Sequence, residues 1–339
     1  MRDEGPRKRV GMQPTYARKG VEALKIVVTG GAGFIGSNLV DALLAEGHNV
    51  LVIDNLSTGK FENLYNVKEA AKENRFSFFQ MDIRDTSCMV AFKGQNPDVV
   101  MHLAAQADVR YSVRHPLEDA EINILGTINL LQFSVESGVK KFIHTSSGGC
   151  IYGEPDHLPV SEDTPRKAIS PYGVSKNVTE EYLRYFMDEY GLRYTTLALA
   201  NVYGPRQNPF GEAGVVAIFI GKMLAGNSPT IYGTGEQTRD FVYVEDVVES
   251  YKRAVNGGDG ELINIGTSVE TSVNQLFSHL AELCDFEGDP TYAPPRQGEL
   301  ERIALKIEKA ETLLGWKPRT PLVEGLKRTV SWYQENLKR

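Results

Sequence analysis

At 339 residues the chain is long enough for one large α/β unit with a smaller lobe, burying roughly three quarters of its unfolded surface. A composition of 41% hydrophobic and 24% charged residues is that of a soluble globular protein, and no stretch reaches the roughly 20 apolar residues that span a bilayer. A net charge of −7 argues against nucleic acid or a membrane surface as partner, while leaving room for a local basic pocket. The three cysteines, Cys88, Cys150 and Cys284, are odd in number and lack CxxC spacing. They therefore point to neither a disulfide framework nor a metal site, and fit a reducing cytoplasm.

Residues 1–24 carry Arg2, Arg7, Lys8, Arg9, Arg18 and Lys19 with no apolar run behind them, so they read as a basic, disordered tail rather than a secretory signal, with Met12 as an alternative start. From Lys25 onward, continuous apolar runs begin at Lys25, Asn49, Phe76, Asp98 and Lys140 and alternate with amphipathic segments. Continuous runs suit strands covered on both faces, so the pattern predicts a doubly wound parallel Rossmann sheet over residues 25–200. Helices are expected from Asn38 and from Asn123, ending at Gly47 and Gly138. After Asn201, Gly and Pro become frequent, predicting a loop-rich substrate lobe over 201–339, with possible return segments to the first sheet.

The segment Thr29-GGAGFIG places Gly30, Gly33 and Gly36 between the first strand and the first helix. Glycines there let the backbone approach a pyrophosphate, and the N–H groups of Phe34 and Ile35 open the helix toward it. The second strand ends at Asp54, 24 residues after Gly30, where a carboxylate accepts hydrogen bonds from the adenosine ribose and repels a 2′-phosphate, which favours NAD over NADP. Asn55 follows it. Asp82 and Ile83, ending the third strand, sit where adenine would be contacted, and the small Ala104 and Ala105, ending the fourth, would let the cofactor lie close to the sheet.

Tyr172 and Lys176 form Tyr-x-x-x-Lys within Ser170-PYGVSKNVTEEYLRYF. Four residues apart on a helix, they share a face, and an ammonium beside the phenol is expected to favour the phenolate and make Tyr172 a base. Ser147, 25 residues earlier at the end of the fifth strand, supplies a hydroxyl for the same reacting group, with Ser146 the fallback. Cys150 has no base nearby in sequence and reads as packing. The aromatic stripe Tyr182, Tyr185, Phe186 and Tyr190 reads as core or subunit interface.

Taken together, Thr29-GGAGFIG, Asp54-NLSTG, His102-LAAQ, Tyr172-GVSK, Asn201-VYGPR, Arg239-DFVYVEDV and Leu314-GW resemble the extended short-chain dehydrogenase/reductase family from Lys25 to about Tyr333, and within it the UDP-galactose 4-epimerases. The resemblance implies NAD as cofactor, a UDP-hexose as substrate and a homodimer. It also implies that Lys176 holds the nicotinamide ribose, and that Asn201, Arg239 and Arg296 join Ser147 and Tyr172 in binding the nucleotide sugar. Guanidinium forks suit diphosphate oxygens.

Two departures from the family pattern stand out. Gly148 occupies the place where many members carry the catalytic hydroxyl, and Leu305-Lys306 replaces Ala-Asp near Ile303, where a sugar-size gate is expected. Dehydratases on this frame carry an Asp-Glu pair after the strand hydroxyl, and here stand Gly148 and Gly149. The competing readings are a UDP-N-acetylglucosamine 4-epimerase, dehydratase, decarboxylase or reductase of the same frame, and a noncatalytic NAD-binding scaffold.

Overall fold

The computed structural model describes residues 23–209, 214–295 and 300–336. Five of the apolar runs form strands β1 (Lys25–Thr29), β2 (Asn49–Asp54), β3 (Phe76–Gln80), β4 (Val99–His102) and β5 (Lys141–Ser147), joined by β6 (Arg193–Leu199). With the strand Glu261–Ile265 at one edge they make a seven-stranded sheet, ordered Glu261–Ile265, β6, β5, β4, β1, β2, β3, and every pairing is parallel. The order reverses between β1 and β4, the switch point where open sheets of this kind leave a crevice beyond their carboxyl ends.

Both faces of the sheet are covered, which is why the strands read as unbroken apolar runs. Along β1, Ile26 and Val28 pack with Leu39, Val40 and Leu43 of the helix Phe34–Ala45, and with Val247 and Tyr251. Val27 points the other way, into Leu130, Phe133, Leu183 and Phe186 of the helices Gly126–Glu136 and Pro171–Tyr190. Gly47 and Gly138 take positive φ just past their helices, at +88° and +70°. The helix expected from Asn123 starts differently: Glu121–Leu125 is a wide π turn, and the α-helix proper begins at Gly126.

Residues beyond Asn201 build a second core around Tyr203, Phe219, Phe241, Leu276, Leu326 and Tyr333. Its strands are short, paired two by two: Asn201–Tyr203 with Phe241–Tyr243, Thr230–Tyr232 with Thr291–Ala293, and Thr238–Arg239 with Thr271–Ser272. The same stretch also returns to the first sheet. Glu261–Ile265 extends it beside β6, and Trp316 is buried against that core with its indole N–H donating to the Asp246 carbonyl at 2.8 Å.

Candidate active site

At the β1 end, Gly30 has φ +70°, and a Cβ there would lie 2.7 Å from the Ala104 backbone nitrogen. A Cβ on Gly36 would lie 2.1 Å from the Gly30 carbonyl oxygen, so only glycine lets the turn fold this tightly against the β4 loop. Gly33 caps the helix Phe34–Ala45 without any side-chain hydrogen bond, which leaves the first N–H groups, those of Phe34, Ile35 and Gly36, facing the crevice. Asp54 is buried at the end of β2 and accepts the N–H groups of Ala32 at 2.9 Å and Leu56 at 2.8 Å. A carboxylate has lone pairs to spare after two such bonds, so the loop is shaped and acceptor capacity remains for a diol.

Asn55 donates to Asp82 at 2.9 Å, and Arg84 grips the same carboxylate with two side-chain N–H groups, which holds the Asp82 carboxyl far below its usual range. Ile83 is buried, and a Cβ on Gly126 would lie 2.7 Å from its Cδ1. Ala104 donates its N–H to Thr29 Oγ1 at 3.3 Å, and Ala105 follows it on the loop at the switch point. Cradle, diol acceptor and adenine-side residues thus lie along one edge, and they fit a dinucleotide.

At the β5 end, Tyr172 and Lys176 stand on the first turns of the helix Pro171–Tyr190, which Ser170 caps through its side chain. Both are buried. The Lys176 ammonium lies 5.7 Å from the Tyr172 ring centroid and donates to the Thr145 carbonyl at 2.8 Å. Burial lowers its pKa to about 8 against the opposing pull of Asp119. Burial pushes the pKa of the Tyr172 phenol well up. Ser147 opposes burial at the phenol, and at the Cys150 thiol, which burial raises, its hydroxyl acts the same way. Cys150 therefore lies beside the hydroxyl pair, and it feels the Arg239 charge as well.

Below this cluster the sheet carries two buried imidazoles. His102 bonds Thr29 Oγ1 at 2.7 Å and Thr127 Oγ1 at 2.9 Å. Thr127 donates its only proton to the Asn123 carbonyl, so His102 is the neutral tautomer with its proton on Nε2. Its pKa is pushed down to about 3 by burial and by Lys176. His144 is also held neutral, and neither of its nitrogens nor Ser146 Oγ has a partner among the described residues.

On the opposite wall, Asn201 lies just past β6, its N–H donating to the Asp240 carbonyl at 2.9 Å. Arg239 lies on the neighbouring short strand and donates from Nη1 to its neighbour Thr238's carbonyl at 2.8 Å. Asp240 between them is almost fully buried and collects N–H groups from Thr267, Ser268 and Leu305. Arg296 lies outside the described residues, as does most of the 1–24 tail. Ile303 is buried beside Ile151, Tyr152 and Leu305.

The model of the NAD dependent epimerase/dehydratase family matches residues 26–266. The chain belongs to that family. Within it, the chain is 48% identical over 311 residues to a putative UDP-glucose 4-epimerase of Methanocaldococcus jannaschii, covering 92% of this chain and 99% of that one. It is 45% identical to the UDP-glucose 4-epimerase of Mycolicibacterium smegmatis, covering 92% and 99%. Among solved structures, the UDP-glucose 4-epimerase of Thermotoga maritima with UDP-glucose superposes with a TM-score of 0.89 at 49% identity, covering 93% of this chain and all of that one.

For this epimerase/dehydratase family member, the sequence does not show the residues that brace Tyr172 and Lys176. Asp119 accepts from Ser175 Oγ at 2.7 Å, Gln106 Nε2 at 2.9 Å and Asn123 Nδ2 at 3.0 Å. Ser112 Oγ receives the Tyr172 N–H at 3.2 Å, and Tyr251 meets Thr145 Oγ1 at 2.6 Å. Most of these partners are more than 50 residues apart in sequence. The sole local signal was the Asn123-x-x-x-Thr127 spacing beside the π turn, a distortion found often at functional sites.

Proposed function

We propose that the chain interconverts UDP-glucose and UDP-galactose by epimerisation at C4. The observation that carries the reading is a buried Tyr172 and Lys176 with a half-buried Ser147 beside them at the mouth of a dinucleotide cradle, in a chain similar along nearly its whole length to UDP-glucose 4-epimerases. NAD, once bound, would supply the reversible hydride acceptor that C4 epimerisation needs and a positive charge favouring the phenolate. Tyr172 removes the C4 hydroxyl proton and gives it back, with Ser147 bonding the same oxygen. Lys176 braces the site and holds the nicotinamide ribose. Gly30, Gly33, Phe34, Ile35 and Gly36 would hold the pyrophosphate of NAD, Asp54 and Asn55 its ribose, Asp82 and Ile83 its adenine. Ala104 and Ala105 floor the cleft, while Asn201, Arg239 and Arg296 take the nucleotide diphosphate and sugar.

A dehydratase reading is disfavoured by packing. A Cβ on Gly148 would lie 2.4 Å from Leu305 Cδ1, and Leu305 is fully buried, so an acid at 148 has no room. Without an added acid and base, elimination lacks its proton carriers.

The protein is also proposed to be a cytoplasmic homodimer. Its thiols are free, and among the described residues no helix is long and apolar enough to cross a membrane. Leu117, Val174, Tyr185 and Tyr190 expose apolar surface on the helices Pro116–Ala120 and Pro171–Tyr190, a face that a second copy would cover. Phe186 of the same stripe is core.

The test is incubation of the purified protein, without added reductant, with UDP-galactose and separately with UDP-N-acetylgalactosamine, the products being resolved by chromatography. The C4 epimer of UDP-galactose at unchanged mass, with no net NADH, is expected. Loss of water or carbon dioxide, or no turnover of that sugar, overturns the reading, and turnover of the N-acetylated sugar would widen the substrate class.

A further inference from the structure

Asp119 is fully buried on the short helix Pro116–Ala120, yet all three of its hydrogen-bond donors, Ser175, Gln106 and Asn123, are neutral. A buried carboxylate satisfied only by neutral donors leans on a nearby cation for the rest of its stabilisation. The residue after Ser175 is Lys176, itself 3% exposed. We propose that Asp119 is a positioning residue for the catalytic helix: it ties that helix to the β4 loop through Ser175 and Gln106, and supplies the negative charge against which the Lys176 ammonium is held.

The ties converge on the reacting pair. Gln106 and Asn123 exchange backbone and side-chain bonds at 3.0 and 2.9 Å, and Gln106 also donates to the Asp108 carbonyl at 3.0 Å. Asp108 caps the helix Val109–Arg114, whose Ser112 receives the Tyr172 N–H. Lys176 is faced by the Thr145 carbonyl from β5, by the neutral His102 and His144 from β4 and β5, by Tyr172 on its own helix, and by Asp119. Tyr251, from the helix Val244–Ala254, reaches the same strand residue through Thr145 Oγ1. Of the groups facing Lys176 Asp119 alone brings negative charge and opposes loss of its proton; at Tyr172, burial and the Cys150 thiol act more strongly in the same direction, with Tyr251 adding and Ser147 opposing.

Removing the charge makes both groups ionise at lower pH, so the whole kcat profile moves to the acid side. A merely structural loss would lower kcat at every pH alike. This inference rests on Tyr172 and Lys176 acting as proposed.

Asp119→Asn keeps the shape and can keep all three hydrogen bonds if Ser175 turns to accept. In the full chain with its NAD, the alkaline limb of kcat is expected about one pH unit lower, roughly a tenfold loss at a fixed alkaline pH. Ser175→Ala removes a tie and keeps the charge, so its limb stays where wild type has it. Should Asp119→Asn not fold, Asp119→Glu carries the test: kcat falls with the limb in place, and a limb that moves while charge is retained overturns the proposal. An Asp119→Asn profile superposable on wild type also overturns it. Neither result touches the epimerase reading, which fails instead if Tyr172→Phe remains fully active.

Discussion

The reacting side of the cleft is carried by β5 and the helix Pro171–Tyr190, both locked into a seven-stranded sheet, whereas the opposite side hangs on strands of two or three residues. On the first side Tyr172, Lys176, His102 and Ser146 are buried; on the second, Asn201 and Arg239 are only half-buried. Groups that must exchange protons are best held in a dry, rigid frame, where their pKa values are set by burial and fixed neighbours. The proposed grip of Arg239 on a phosphorylated ligand needs reach and charge, which its guanidinium has without tuning.

The contrast can be broken by substitution on each side. Tyr172→Phe keeps the ring in its buried place and removes the proton carrier, so kcat is expected to fall about 10²–10⁴-fold, with NAD retention and the thermal melt unchanged; steady-state turnover alongside the NAD content of the purified variant checks this. Arg239→Ala acts on the other side. It should raise KM for UDP-galactose about tenfold to a hundredfold, the worth of a charge-assisted hydrogen bond, and change kcat less. A variant that lost kcat at constant KM would place Arg239 with the reacting groups instead.

The smallest effect sharpens the same comparison through pH. His102 and His144 have folded-state pKa values lowered below the ordinary 6.5, so the unfolded chain binds more protons as pH falls. Stability is therefore full above about 6.5 and declines toward about 3 for His102, by roughly 1.4 kcal/mol per pH unit for each imidazole. Urea midpoints measured between these limits should fall with acidification, and His144→Leu should flatten the slope. Equal slopes in wild type and variant would show that His144 takes up its proton while folded.

Sequence alone determined five of the sheet's seven strands, because a strand buried on both faces reads as a largely unbroken apolar run, and it determined the glycine cradle and Tyr-x-x-x-Lys, because each is a local pattern with a local cause. It also marked Asp54 and Ser147, which end strands and so must lie at the sheet's carboxyl edge. Only the tertiary structure decided the rest. That Glu261–Ile265 returns to the first sheet depends on an edge left open beside β6. The phenol's raised pKa comes first from burial by distant segments, which spacing does not reveal. Asp119 meets Ser175 across 56 residues of chain, and Gly148 is barred from bearing a side chain by Leu305, far along the sequence. Periodicity reports the contacts a residue makes with its own helix or strand, whereas burial, charge pairing and steric exclusion are set by whichever distant segment folds against it.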